Sequence, residues 1–189
     1  PAEQFSSLDP ALSLRPPVGT SLRTYAEGLA DQLFTHRYPR HPEFTERVTT
    51  TDLRNTLGVV IRALGEAGGR LENVDPGLRK VVAKVAGPLQ LGTMHSAHFI
   101  AEVQHWVDLI ERRRTAAGVT TLTVGEVRRW LDGADTPAER RGLTAEVADT
   151  VMVAVCAATG RSVIAAGRPV ATPEIGKLRD EWELRAQEL

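Results

Sequence analysis

The sequence has a single cysteine and no long apolar run, and each of these shortages excludes a class of protein. Cys156 alone cannot form an intramolecular disulfide, which fits a reducing compartment. No window approaches about 18 consecutive apolar residues, so the sequence predicts no membrane span. The first thirty residues lack a basic stretch followed by an apolar run, a pattern that predicts no secretory signal. Together these features predict a cytoplasmic protein.

Net charge is also nearly absent, whereas apolar residues are plentiful. The 189 residues include 23 Lys and Arg against 24 Asp and Glu, and 42% of the residues are hydrophobic. This combination excludes a disordered chain and predicts a folded, soluble domain. The sequence begins at Pro1 without a methionine. We therefore expect a processed chain or an excised fragment, which need not carry the activity of its parent.

Helical spacing of apolar residues predicts a mainly α fold with small β-hairpins. Two consecutive prolines, Pro16 and Pro17, oppose a helix in residues 1–20, so we expect an extended arm there. A first helix is expected from Thr20 or Ser21 to His36. Its expected apolar stripe consists of Leu22, Tyr25, Ala26, Leu29 and Leu33. Later helices are expected to begin near Thr50 to Asp52, at Pro76, near Ile100, after Thr123 and after Thr144.

The order of elements in residues 96–172 is that of a winged helix: a helix, a short strand, two helices and a hairpin. The hairpin is expected to turn at 166–168, and we expect the short strand at 119–122 to pair with it. Residues 21–95 repeat this order faintly, which predicts an N-terminal helical unit and leaves open a second winged-helix-like unit. Residues 173–189 are expected to be a charged tail with Leu178, Trp182 and Leu184 as its anchors. Periodicity leaves open whether residues 95–100 form a strand or begin a helix.

Three histidines are the candidate metal ligands. His95, His98 and His105 are spaced so that one face of a continuous helix could carry all three imidazoles. However, the sequence has no HExxH motif, and a histidine beside Phe99 or Trp106 is more often a packing residue. P-loop spacing and a Ser–His–Asp arrangement are also missing from the sequence. We therefore expect no catalytic residue, no metal and no cofactor, and a histidine-based metal enzyme is the third of three hypotheses.

Arginines are the candidate contacts to a partner protein or to DNA. Residues 112–168 contain nine arginines and six acidic residues. The arginines are Arg112, Arg113, Arg114, Arg128, Arg129, Arg140, Arg141, Arg161 and Arg168. Guanidinium groups suit phosphate geometry, and Arg168 would lie at the tip of the wing. However, the helix in the recognition position carries Glu146 and Asp149 near its N-terminus, where they would repel phosphates. We favour a partner protein, and DNA binding is the alternative.

Several segments resemble a known family. They are Leu29–Phe34 with Arg37–Phe44, Leu91–Met94 leading to Ala97–Phe99, Thr123–Leu131, and Glu183–Leu189. The sequence resembles the non-ATPase region of the PglY/BrxC-type ATPases of bacterial phage-resistance systems (phage growth limitation and BREX). The resemblance implies a protein that works with other defence components against phage DNA. Members carry a P-loop ATPase module elsewhere, so the resemblance assigns no catalytic residue here and implies a non-catalytic interaction module.

Overall fold

The computed structural model describes residues 12–15 and 21–186, and the described chain is mainly helical with two small antiparallel sheets. The expected fold class, mainly α with small β-hairpins, is confirmed. The N-terminal half contains α1 (Leu22–Arg37), α2 (Thr50–Gly65), β1 (Arg70–Leu71), α3 (Pro76–Ala86), β2 (Gly92–His95) and β3 (His98–Ala101). The C-terminal half contains α4 (Gln104–Ala117), β4 (Leu122–Thr123), α5 (Val124–Asp132), α6 (Ala145–Thr159), β5 (Arg161–Ala165), β6 (Arg168–Pro169) and β7 (Glu183–Ala186).

Local signals set most helix ends where the sequence predicts them. Asp75 caps α3 by accepting a hydrogen bond from the Gly77 amide, and Pro76 fills the first helical position. Thr123 and Glu126 form a capping box at the start of α5. At the other end, Gly118 closes α4 in the left-handed conformation. The cap of α2 is Thr49, one residue before the predicted positions, and α2 ends at Gly65 rather than at the predicted Gly68–Gly69 pair.

The segment whose conformation the sequence left open forms a β-hairpin. Strand β3 lies between β1 and β2, and Phe99, which is fully buried, pairs with Met94. Gly92 is needed here, because a Cβ at this position would lie 2.2 Å from the Ile100 carbonyl oxygen. The following helix therefore begins at Gln104 and not at Ile100, where its apolar spacing had placed it.

The second sheet has the strand order β4-β7-β5-β6. The expectation that β4 pairs with the β5–β6 hairpin is wrong, because β7 lies between β4 and β5. Leu184 of β7 faces Leu122 on one side and Val163 on the other, and all three are buried. The segment expected to be a tail thus supplies an inner strand, and a winged helix is not confirmed.

Helix α6 occupies the centre of the core. Every residue from Ala148 to Cys156 is buried, and the helix packs against α2 and α5. A helix that is apolar on all sides is typical of such a position. The buried side chains form one cluster that extends from Leu53 of α2 to Leu184 of β7. The division of the chain into two tandem units stays a prediction.

Helix α1 differs from the other described helices, because none of its residues is buried. Its predicted apolar stripe is therefore not a core face. Tyr25 and Leu29 are half-buried, whereas Leu22 is 85% exposed and Leu33 is 47% exposed. The preceding segment reaches α1 through Arg15, whose backbone exchanges two hydrogen bonds with the side-chain amide of Gln32.

The position of β7 in the sheet gives a first prediction. Replacing Leu184 with alanine should lower the free energy of unfolding by about 2–5 kcal/mol, because the lost side chain leaves a cavity in the core beside Leu122 and Val163. Arg185→Ala is the matched control, since this neighbour is exposed and its one ion pair within the described residues is with Glu183. It should change stability by no more than about 0.5 kcal/mol. Urea unfolding measures both, and equal effects would contradict the burial of Leu184.

Candidate interaction surface

The loop after α1, residues 38–44, is fixed to the C-terminal half by backbone contacts. The Arg40 amide donates to the Arg140 carbonyl at 3.0 Å, and His41 Nδ1 donates to the Arg141 carbonyl at 2.7 Å. The Tyr38 ring lies directly over Gly142, where a Cβ would come within 2.7 Å of the ring. We call residues 38–44 the proline loop, and these contacts give it a defined position. His41 therefore acts as a positioning residue of the loop.

Aromatic rings connect the proline loop to α1. The Phe34 ring centroid lies 5.1 Å from that of Tyr38 and 4.6 Å from that of His41, in tilted and edge-on arrangements. Phe44 lies 6.3 Å beyond His41. Such edge-on contacts add to the stability gained by burial. Phe34 therefore joins α1 to the proline loop, and these two elements form adjoining parts of the surface.

Behind the proline loop, Arg141 packs on Trp106. The guanidinium carbon lies 5.0 Å from the indole ring centroid, within the range of a cation–π contact. Arg141 Nη1 also donates to the carbonyl of Leu131 at 3.0 Å. The Trp106 indole N–H donates to the Leu89 carbonyl at 2.9 Å, which fixes the ring in place.

Arg40 and Arg141 line a cleft of about 260 Å³ together with three prolines, Pro39, Pro42 and Pro88. Burial lowers the pKa of Arg141, and the charges of Arg40 and Arg113 lower it further, against the opposing effect of Glu139 and Asp132. Burial and the Arg141 charge also lower the pKa of the neighbouring His105, although Asp108 opposes this. The local environment therefore disfavours additional positive charge.

The structure divides the nine candidate arginines into two groups. Five form ion pairs with carboxylates of the same chain: Arg113 with Glu139, Arg114 and Arg161 with Glu111, Arg128 with Asp149 and Asp180, and Arg129 with Asp135. The other four have no carboxylate partner among the described residues: Arg112, Arg140, Arg141 and Arg168. Of the nine, Arg140 and Arg141 accept hydrogen bonds from the proline loop through their backbone carbonyls.

The Arg128 pair is buried and complete. Asp149 is fully buried, and its two carboxylate oxygens accept hydrogen bonds from Arg128 Nε at 2.8 Å and Nη2 at 2.9 Å. The Gly176 amide donates to the same carboxylate at 2.7 Å. Burial raises the pKa of Asp149, and the amide and the guanidinium oppose that rise. With donors at both oxygens, the geometry fits the ionised carboxylate.

The three candidate histidines lie on different elements. His95 and His98 flank the turn of the β2–β3 hairpin with their rings stacked 5.3 Å apart, whereas His105 is on α4 beside Trp106. The continuous helix that would have brought them together does not exist. Within residues 12–15 and 21–186, no three side chains of His, Cys, Asp or Glu are grouped so as to hold a metal ion.

A comparison with protein families identifies residues 51–156 as a match to the family described as BREX System ATPase PglY protein 5th domain. The chain belongs to this family. The match extends from α2 into the last turn of α6 and so covers more than half of the chain. The resemblance inferred from the sequence is therefore confirmed, and a role in the BREX phage-defence system follows. No solved structure matches the chain.

Family membership places the chain outside the ATPase region of the BREX protein, as the sequence predicted. The family match begins after α1 and the proline loop, so both of these elements precede it. Among the described helices, none has the length and apolar character needed to cross a membrane.

Sequence reasoning missed two features of this BREX domain. Sequence reasoning placed Asp149 where it would face DNA, but it is a buried partner of Arg128. The available signal was an acid close to the start of the apolar run 151–158 of α6. The cleft was missed because Arg40, Pro88 and Trp106 are far apart in the sequence. The two prolines at 39 and 42 indicated only that the loop is stiff.

The ion pair between Arg128 and Asp149 gives a second prediction. The neighbouring Arg129, also on α5, provides the control. Arg128→Ala should lower the free energy of unfolding by about 3–5 kcal/mol, because it leaves the Asp149 charge buried and unpaired. Arg129→Ala should cost no more than about 1 kcal/mol, since its contact with Asp135 is exposed and 3.6 Å long. Urea unfolding compares the two.

The double variant Arg128→Met/Asp149→Leu removes both charges and should recover much of the loss from Arg128→Ala. A stability as low as that of Arg128→Ala alone would mean that the uncompensated charge is not the cause.

Proposed function

We propose that this chain is a non-catalytic interaction module of a phage-defence ATPase that contacts partner proteins of the defence complex in the cytoplasm. The observation that carries the proposal is the exposed apolar row of α1. Leu22, Ala26 and Leu33 are exposed at spacings of four and seven residues, so they lie along one side of the helix. Helices that dock into a groove on a partner present anchors in this pattern.

The contrast with the rest of the chain supports this proposal. The described helices α2 to α6 each bury apolar side chains in the common core, whereas α1 buries none. Leaving two leucines in water forgoes the free energy that their burial would provide, about 1.5–3 kcal/mol each. An exposed apolar row on an ordered helix is typical of a surface that a partner covers.

The exposed apolar row of α1 predicts that a double variant of its leucines retains fewer defence components in a pull-down. The tagged chain is expressed with the other components of the same defence system, and the retained components are identified. Leu22→Ser/Leu33→Ser should reduce retention at least tenfold, because it removes the apolar area available for burial. Ile61→Ser on α2 is the control, since Ile61 is also exposed but lies outside the row. Equal retention by both variants would exclude the row as the contact.

DNA binding is the second candidate, favoured by the exposed Arg112 and Arg168, which lack carboxylate partners in the part of the chain that the structure describes. Its contacts would be to the phosphate backbone, because the buried helix α6 offers no exposed face for reading bases. A DNA contact through these arginines would therefore be insensitive to base sequence.

A mobility-shift titration tests this candidate. If the chain binds duplex DNA, Arg112→Ala/Arg168→Ala should weaken binding and reduce the dependence of log K on log salt concentration by about one per lost phosphate contact. Arg129→Ala is the control, because this arginine pairs with Asp135. No shift at low salt, or a shift that salt does not weaken, would count against DNA binding.

A further inference from the structure

We infer that the cleft between the proline loop and Arg141 binds an acidic peptide segment, in which a carboxylate side chain meets Arg40 and Arg141. The inference rests on the proposed function, since a partner protein of the complex would supply that segment. It adds the chemistry of the partner and a second contact point next to the row on α1.

Unused hydrogen-bond donors are the first support. Arg141 donates to the carbonyls of Leu131 and Glu139 from Nη1 alone, so among the described residues nothing accepts from its Nε and Nη2 groups. In the described part of the chain, Arg40 forms a hydrogen bond through its backbone amide, and no acceptor faces its guanidinium group. Two guanidinium groups with free N–H donors can hold one carboxylate with charge-assisted hydrogen bonds.

The local charge balance is the second support. The charges of Arg40 and Arg113 act unfavourably on Arg141, whereas those of Glu139 and Asp132 act favourably. Arg113 is neutralised by its ion pair with Glu139, but Arg40 and Arg141 lack such a partner among residues 12–15 and 21–186. A bound carboxylate would relieve this repulsion, so the cleft is electrostatically complementary to an acid.

The walls of the cleft favour a peptide over a nucleic acid. Pro39, Pro42 and Pro88 provide an apolar wall that suits side chains next to the acid, and offer no backbone N–H for a phosphate. Glu43 also lines the cleft, and its charge disfavours a ligand with many adjacent negative charges, such as DNA, more than a single carboxylate held by two arginines. At about 260 Å³ the cleft is smaller than the usual 300–1,000 Å³ of small-molecule sites, which fits one or two anchoring side chains.

The cleft is also held in shape before any ligand arrives. The hydrogen bond from Arg40 to Arg140 fixes one side, and the bond from the Trp106 indole to Leu89 fixes the ring beneath Arg141. Tyr38 closes against Gly142, where even a methyl group would not fit. A site that is already ordered loses little conformational entropy on binding.

The test is an NMR titration of the purified chain with three probes. These are a capped hexapeptide of alternating glutamate and leucine, the same peptide with glutamine in place of glutamate, and a 20-base-pair DNA duplex. The acidic peptide should shift the Trp106 indole and Arg40 amide resonances, and added salt should weaken its binding. The glutamine peptide should bind at least tenfold more weakly, because it lacks the carboxylates.

Variants locate the contact. Arg40→Ala should weaken binding of the acidic peptide at least fivefold, and Arg62→Ala should leave it unchanged, because Arg62 is an exposed arginine of α2 that bonds only to its own helix in the described structure. Arg141 is avoided as a variant because it also supports Leu131. The inference is overturned if neither resonance shifts, if the glutamine peptide binds equally well, or if Arg40→Ala has no effect. It is also overturned if DNA binds the cleft more tightly than the acidic peptide and Arg40→Ala abolishes that binding.

The two proposals fail separately. A chain that ignores the peptide but still retains defence components through Leu22 and Leu33 overturns the inference about the cleft alone. A chain that binds the peptide but retains no defence component overturns the proposed function. In that case the acidic segment would not come from a partner protein of the complex.

Discussion

The buried ion pair between Arg128 and Asp149 is the interaction on which the C-terminal half depends. Asp149 lies on the central helix α6 and Arg128 on α5, while Gly176 and Leu178 bond to the same pair from the segment that leads to β7. The pair therefore fixes the angle between two helices and the path of the chain into the sheet. A buried charge is costly unless all its lone pairs are satisfied, so this geometry specifies the arrangement more than it adds net stability.

A consequence of this arrangement concerns the surfaces that remain for partners. Residues 148–156 of α6 are buried in the core, and most arginines of the C-terminal half are neutralised by carboxylates of the same chain. Many of the charges that balance in the sequence are thus also paired in the structure. What remains is α1, with leucines in water, and the proline loop with Arg40, which lacks a carboxylate partner among the described residues. These two features adjoin each other through Phe34.

The features predictable from the sequence were those encoded within a few residues. Asp75 followed by Pro76, the Thr123–Glu126 capping box and the closing Gly118 each act through bonds to their own helix, so the pattern suffices. The contacts that sequence reasoning missed join distant residues. Nothing local indicates that Leu184 pairs with both Leu122 and Val163, or that the backbone of Arg40 meets that of Arg140. The apolar spacing of α1 predicted a helix correctly but could not say whether its stripe faces the core or a partner.

The two sheets place their last strand in the same way, although their sequences show no repeat. In the first sheet β3 lies between β1 and β2, and in the second β7 lies between β4 and β5. In both sheets the strand that comes last in the sequence lies between two earlier strands. Neither sheet can therefore form completely until its last strand has paired. In the first half that strand follows β2 after a two-residue turn, whereas in the second it follows β5 after residues 166–182, which include β6. This longer path has to be anchored along the way, and the hydrogen bonds from Gly176 to Asp149 and from Arg128 to Leu178 lie on it. The buried pair is thus placed where the chain most needs an anchor, which explains why the buried part of α6 contains an acid.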